Sequence, residues 1–147
     1  MKLISSYKIF HDKNFIIEYY DGGGTIEDVK ALKLKEADDV NYSPDYDLLA
    51  DIRTTTINAK REDVKDYIEF AKSHKGISGN RKLAIVTNTP RHVVFFTFLN
   101  MFKIRLSQTM RIFSTIDAAM YWLGEPIAIE DANDCLMNLK NNAKSYE

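Results

Sequence analysis

The amino-acid sequence predicts an α/β domain: a mixed, mostly parallel sheet of about five strands with helices packed on it, plus one extra C-terminal helix. The first observation behind this is an alternation. Short runs rich in aromatic and β-branched residues are separated by segments with helical periodicity, in the order ββαβαβαβα. The second is the spacing of the first two runs, which only Asp12-Lys13-Asn14 separates, so they are expected to form an antiparallel hairpin. Later runs have a helix between them, which implies parallel strands with right-handed crossovers. The third is size. A chain of 147 residues, 45% hydrophobic and 28% charged, is one ordinary domain with enough apolar material for a core. Residues 1–147 are read as that single domain, with its core over about 5–124 and a helical extension over about 127–141.

The hairpin strands are expected at Ser6–His11 and Phe15–Tyr20. Gly22-Gly23-Gly24 then reads as a flexible turn behind an edge strand, with Thr25 as the N-cap of a helix to about Ala37. Glu27 and Asp28 suit its first turn, and Ile26, Val29 and Leu32 its inner side. After a loop containing Pro44, Tyr46–Ile52 reads as a buried central strand, continued through Thr54-Thr55-Thr56. Helix two carries Val64, Tyr67, Ile68 and Ala71 on one face, at i, i+3, i+4 and i+7. Lys82–Thr87 is the next core strand, and Thr89-Pro90 supplies the cap and first-turn proline of helix three. Met110–Phe113 is the last strand. Ser114 or Thr115 caps helix four, which Gly124-Glu125-Pro126 ends, and the final helix turns Ile129, Ala132, Cys135, Leu136 and Leu139 inward.

Composition excludes several classes of function. The single cysteine, Cys135, rules out an internal disulfide framework and fits a reducing compartment. No apolar run reaches the roughly 18 to 20 residues needed to cross a bilayer. Met1–Phe10, broken by Ser5, Ser6, Tyr7 and Lys8, lacks the apolar core of a signal peptide, so a cytoplasmic location is expected. A net charge of −1 offers no general attraction to nucleic acid. The charge is unevenly spread, however: from Phe70 to Ile116 there are eight basic residues and no acidic one. Such a segment either packs beside acidic elements of the same fold or a second copy, or serves an anionic ligand, an acidic partner or a lipid surface.

Motifs for catalysis are missing. The glycine run lacks the Gly-Lys-Ser/Thr ending of a phosphate loop, and a strand-to-helix turn accounts for it. His11, His74 and His92 lie on separate elements without metal-ligand spacing, so neither metal nor cofactor is expected. Cys135, at an inward helical position, reads as an inert thiol. No nucleophile, base and orienting group can be read together, and a non-catalytic protein is expected.

Three stretches carry a family likeness: a central strand ending in Asp51-Ile52-Arg53, a strand ending in Thr87-Asn88-Thr89-Pro90, and Phe113-Ser114-Thr115-Ile116-Asp117-Ala118-Ala119 leading into Trp122-Leu123. With the order of elements over about residues 5–124, these make the chain resemble the STAS, or SpoIIAA-like, domains. The resemblance implies a regulatory or protein-interaction module. In the family's anti-sigma-factor antagonists a Ser or Thr at the start of helix two is phosphorylated. That would place a phosphoswitch near Thr54, Thr55, Thr56 or Asn58, although the family's Asp-Ser-Ser-Gly type motif is absent and Lys60-Arg61 opens the helix instead.

Two further candidates come from the residues themselves. Ligands of open parallel sheets bind outside the carboxyl ends of the strands. That edge is expected to gather Asp51, Arg53, Thr87, Asn88, Thr89, His92 and Ser114, with Thr115 beside them. An Asp51–Arg53 ion pair and helix capping by the hydroxyl residues would account for the same pattern without a ligand. The other candidate is helix three, where Val93, Val94, Phe95, Phe96, Phe98, Leu99, Met101 and Phe102 leave more apolar side chains than one buried face needs. The C-terminal helix, a second subunit, an amphiphilic or anionic small molecule, or a membrane surface would cover the surplus. A twofold dimer through Val94, Phe95, Phe96, Phe98, Leu99 and Phe102 is the favoured expectation. Phe96→Asp or Phe98→Asp is then expected to give folded monomer in native mass spectrometry, and dimers persisting in both variants would place the interface elsewhere.

Overall fold

The computed structural model describes residues 3–74, 76–77, 79–93 and 108–144. Strands β1 (Ile4–Phe10) and β2 (Phe15–Gly24) form the expected antiparallel hairpin, closed by a short 3₁₀ turn and by Asn14 in the left-handed conformation at φ 53°. Helix α1 (Ile26–Ala37) follows, then β3 (Asp47–Ile57), α2 (Arg61–Ser73) and β4 (Lys82–Val86). Residues 90–93 open α3. Strand β5 (Thr109–Phe113), α4 (Ile116–Trp122) and α5 (Ile129–Lys144) complete the described chain. The strands lie in the order β1-β2-β3-β4-β5, with only the β1–β2 pair antiparallel.

Alternation along the strands divides the core in two. Ile16, Tyr20, Leu48, Ala50 and Ile52 face Leu32 of α1 and Val64, Ile68 and Ala71 of α2. Phe15, Ile17, Tyr19, Leu49, Ala84 and Val86 face Ala119 and Met120 of α4 and Ala132, Leu136 and Leu139 of α5. Period-2 alternation thus meets helical apolar stripes on both faces of the sheet. The caps follow the expected chemistry. The Thr25 backbone N–H donates to the Asp28 carboxylate at 2.9 Å, and the Thr115 hydroxyl accepts from the Ala118 N–H at 3.1 Å. Thr115, not Ser114, caps α4.

One expectation is overturned. Gly22-Gly23-Gly24 is not a loose turn behind an edge strand; it is the end of β2, an interior strand, paired with Thr55, Thr56 and Ile57 of β3. The run suits this place because Gly22 has φ 89°, and a Cβ on Gly24 would stand 2.7 Å from the Leu3 Cβ. The pairing also carries Thr54, Thr55 and Thr56 inside β3, ahead of a helix that starts only at Arg61. Thr55 is buried and its hydroxyl donates to the Gly22 carbonyl, while Thr54 donates to the Tyr20 carbonyl at 3.3 Å. Thr54 and Thr55 thus bond back to β2, while Thr56 is exposed.

A charged cluster lies within the α1/α2 layer. Glu18 of β2 is buried, with Lys33 of α1 at 2.5 Å and the Tyr20 hydroxyl donating to it at 2.8 Å. Burial works to raise the Glu18 carboxyl, but the Lys33 ammonium together with hydrogen bonds from Glu36, Lys33 and Tyr20 outweighs it and holds the group well below its ordinary value. Glu36, one turn along α1, is buried with its carboxyl beside that of Glu18. Burial, with the Glu18 carboxylate beside it, pushes Glu36 well up, so it keeps its proton.

Candidate functional site

The carboxyl end of β3 is shaped by a register change. Tyr19 of β2 stands opposite Asp51, yet Asp21, two residues on, stands opposite Thr54, so β3 holds one extra residue between Asp51 and Thr54. A bulge of this kind re-aims side chains. Arg53 and Thr54, consecutive residues that a regular strand would send to opposite faces, line the same cleft. That cleft is open and measures about 580 Å³. Tyr19, Asp51, Arg53, Thr54 and Asn88 form its sheet side, and α5 supplies Asn133, Leu136, Met137 and Lys140.

Asp51 and Arg53 form a two-pronged ion pair. Arg53 Nε donates to Asp51 Oδ1 at 2.9 Å and Nη2 to Oδ2 at 2.9 Å, and the Arg53 backbone N–H adds a third bond at 3.1 Å. The carboxylate is buried, while the Arg53 side chain is 37% exposed. Tyr19 is 4% exposed, and its hydroxyl lies beside the Thr54 and Asp21 side chains, with the Asp51 carboxylate also near. Burial raises its phenol above the ordinary value, so it is a neutral donor.

The remaining strand-end residues form a second network. Thr87 and His92 are buried, with Thr87 Oγ1 and His92 Nδ1 2.9 Å apart, and the Thr89 backbone N–H donates to Thr87 Oγ1 at 3.2 Å. Burial, and then Arg91, lower the His92 imidazole below its ordinary value. The His92 and Val93 N–H groups bond to the Thr89 carbonyl, fixing the start of α3. Thr87, Thr89 and His92 therefore join β4 to α3, and Ser114 is an exposed residue outside the cleft lining. Of the seven strand-end candidates, Asp51, Arg53 and Asn88 line the cleft. Val94, Phe95, Phe96, Phe98, Leu99 and Phe102 lie outside the described residues.

Sequence reasoning missed Tyr19, Asn133, Met137 and Lys140. Leu136 was legible as an inward helical residue, but nothing local says that α5 returns to the carboxyl end of β3. Among the described residues no helix is long and apolar enough to cross a membrane.

No protein-family model matches the chain, and no curated protein matches it significantly. A solved structure does. An uncharacterized protein of the DUF3478 family from Shewanella loihica, described as having a SpoIIAA-like fold, matches with a TM-score of 0.54 at 16% sequence identity. The match covers 83% of this chain and 94% of that one. The fold is therefore SpoIIAA-like, as the order of elements predicted.

Proposed function

We propose that the chain is a non-catalytic regulatory module that acts by binding a partner, with the strand-end cleft as its recognition site. The carrying observation is the state of Asp51. It is the carboxylate of the cleft, and both its oxygens are taken by a fixed guanidinium, so it acts as an anchor for Arg53 rather than as a base. The cleft lies outside the carboxyl ends of parallel strands, where open α/β sheets bind their ligands. The SpoIIAA-like fold agrees with such a role by analogy of architecture.

Site-specific crosslinking in the native host tests this reading. A benzophenone amino acid at Asn88 or Met137 is expected to give a discrete protein adduct. The same group at Val40, 95% exposed and close to the amino end of β3, is expected to give none. Adducts from Val40 with none from the cleft would overturn the proposal.

A further inference from the structure

The two outer strands of the sheet are guarded unequally. In the order β1-β2-β3-β4-β5, β1 and β5 each have one edge that no described strand pairs. A free edge presents a row of N–H and C=O groups to any other strand, and proteins blunt such edges with short strands, charges, proline or bulges. Strand β5 is five residues long and has the exposed Arg111 at its centre. Strand β1 has a single lysine, Lys8, and none of the other devices. Its seven residues pair with β2 in one unbroken register, without bulge or proline. Ile4, Tyr7, Ile9 and Phe10 stay half-buried, while Phe15, Ile16 and Ile17 of the neighbouring strand are buried. The Tyr7 hydroxyl donates to Asp39 at 2.9 Å, which ties the strand to the segment after α1 and fixes the edge in place.

The residues of β1 also complement themselves. In an antiparallel pairing about a twofold axis at Tyr7, all seven find a counterpart. Ile4 stands opposite the partner's Phe10, Ser5 opposite the partner's Ile9, Ser6 opposite the partner's Lys8, and Tyr7 opposite the partner's Tyr7. Aromatic and β-branched side chains make favourable cross-strand pairs, and the two lysines stand apart, each across from a small serine. Charges of both signs line the groove between β1 and α5, with Lys8 and Lys13 against Asp12, Asp131 and Asp134, so two copies do not meet there with a single sign. A lone peptide strand added to β1 would itself become a new exposed edge. A second copy leaves no edge at the join.

We propose that β1 is a dimerisation edge, along which two copies of this chain pair antiparallel about a twofold axis to make one continuous sheet. Five strands from each copy then form a sheet of ten. No β1 residue lines the strand-end cleft, so each copy keeps its cleft open.

Analytical ultracentrifugation of the full chain over a concentration series tests this, with backbone amide hydrogen exchange read by NMR. The wild-type chain is expected to dimerise, with slow exchange at the alternate β1 amides that point away from β2. Ser6→Lys sets like charges across both symmetric contacts between Ser6 and the partner's Lys8. It is expected to weaken the dimer about tenfold, with the β2 amides still protected as proof of folding. Ser6→Asp sets opposite charges there and is expected to tighten the dimer severalfold, and adding Lys8→Glu to Ser6→Lys is expected to restore it. The proposal is overturned if the wild-type chain stays monomeric or if Ser6→Asp associates no more tightly than Ser6→Lys. A dimer that dissociates in Phe96→Asp and not in Ser6→Lys overturns it as well.

Discussion

Lys33→Met is expected to lower stability by about 3–5 kcal/mol, because it leaves the Glu18 carboxylate buried without its cation. Lys33 is 11% exposed and Glu18 1% exposed, so solvent cannot replace the lost partner. For a chain of this size such a loss corresponds to a fall in Tm of roughly 10 °C or more. Thermal denaturation of the purified variant reads it directly. Glu18→Met combined with Lys33→Met is expected to recover most of the loss, since an apolar pair of similar volume avoids the desolvation of both charges. An additive double variant would show that the ion pair is not the source.

The same cluster fixes the pH dependence. Glu18 titrates below the ordinary 4.5, so the stability it contributes is present above that value and is lost as pH falls through its folded-state value. Glu36 titrates well above 4.5, so the folded chain holds a proton that the unfolded chain releases. Its contribution is therefore complete below 4.5 and declines as pH rises toward its folded-state value. Glu36→Gln, which keeps the shape of the protonated acid, is expected to flatten that decline in denaturation curves taken across the pH range.

Arg53→Met is expected to cost about 2–4 kcal/mol, chiefly by stranding the buried Asp51 carboxylate with only a backbone N–H to bond it. The cost is set below that of Lys33 because water reaches the exposed side of Arg53. Asp51→Asn is expected to be milder, as an amide can still accept from Arg53 Nε. Chemical denaturation of both variants checks the order, and an Asn variant less stable than the Met variant would contradict it. Function should divide the two differently. On the reading proposed above, in which the cleft recognises a partner through the Arg53 guanidinium, crosslinking from Asn88 is expected to disappear in Arg53→Met and to persist in Asp51→Asn.

Most of the framework could be read from local pattern. Val64, Ile68 and Ala71 announced the buried face of α2, and Thr25 and Thr115 announced helix starts, because periodicity and capping act within a few residues. Gly22-Gly23-Gly24 misled for the same reason. Glycine is the local signal of a turn, but here the close approach of Leu3 and the pairing with β3 require residues without side chains.

The candidate site divides along the same line. Asp51, Arg53 and Asn88 were foreseeable, since parallel strands must end at one edge and an Asp-x-Arg pair sits close in any strand. The bulge that brings Arg53 and Thr54 to one cleft depends on how β3 registers against β2. The burial of Tyr19 and the arrival of Met137 and Lys140 depend on where α5 docks. The sequence by itself determined the elements, their order and the polar strand ends, through forces that act over a few residues. Only the tertiary structure decided which of those ends share a cleft with α5, because that follows from packing between segments more than forty residues apart.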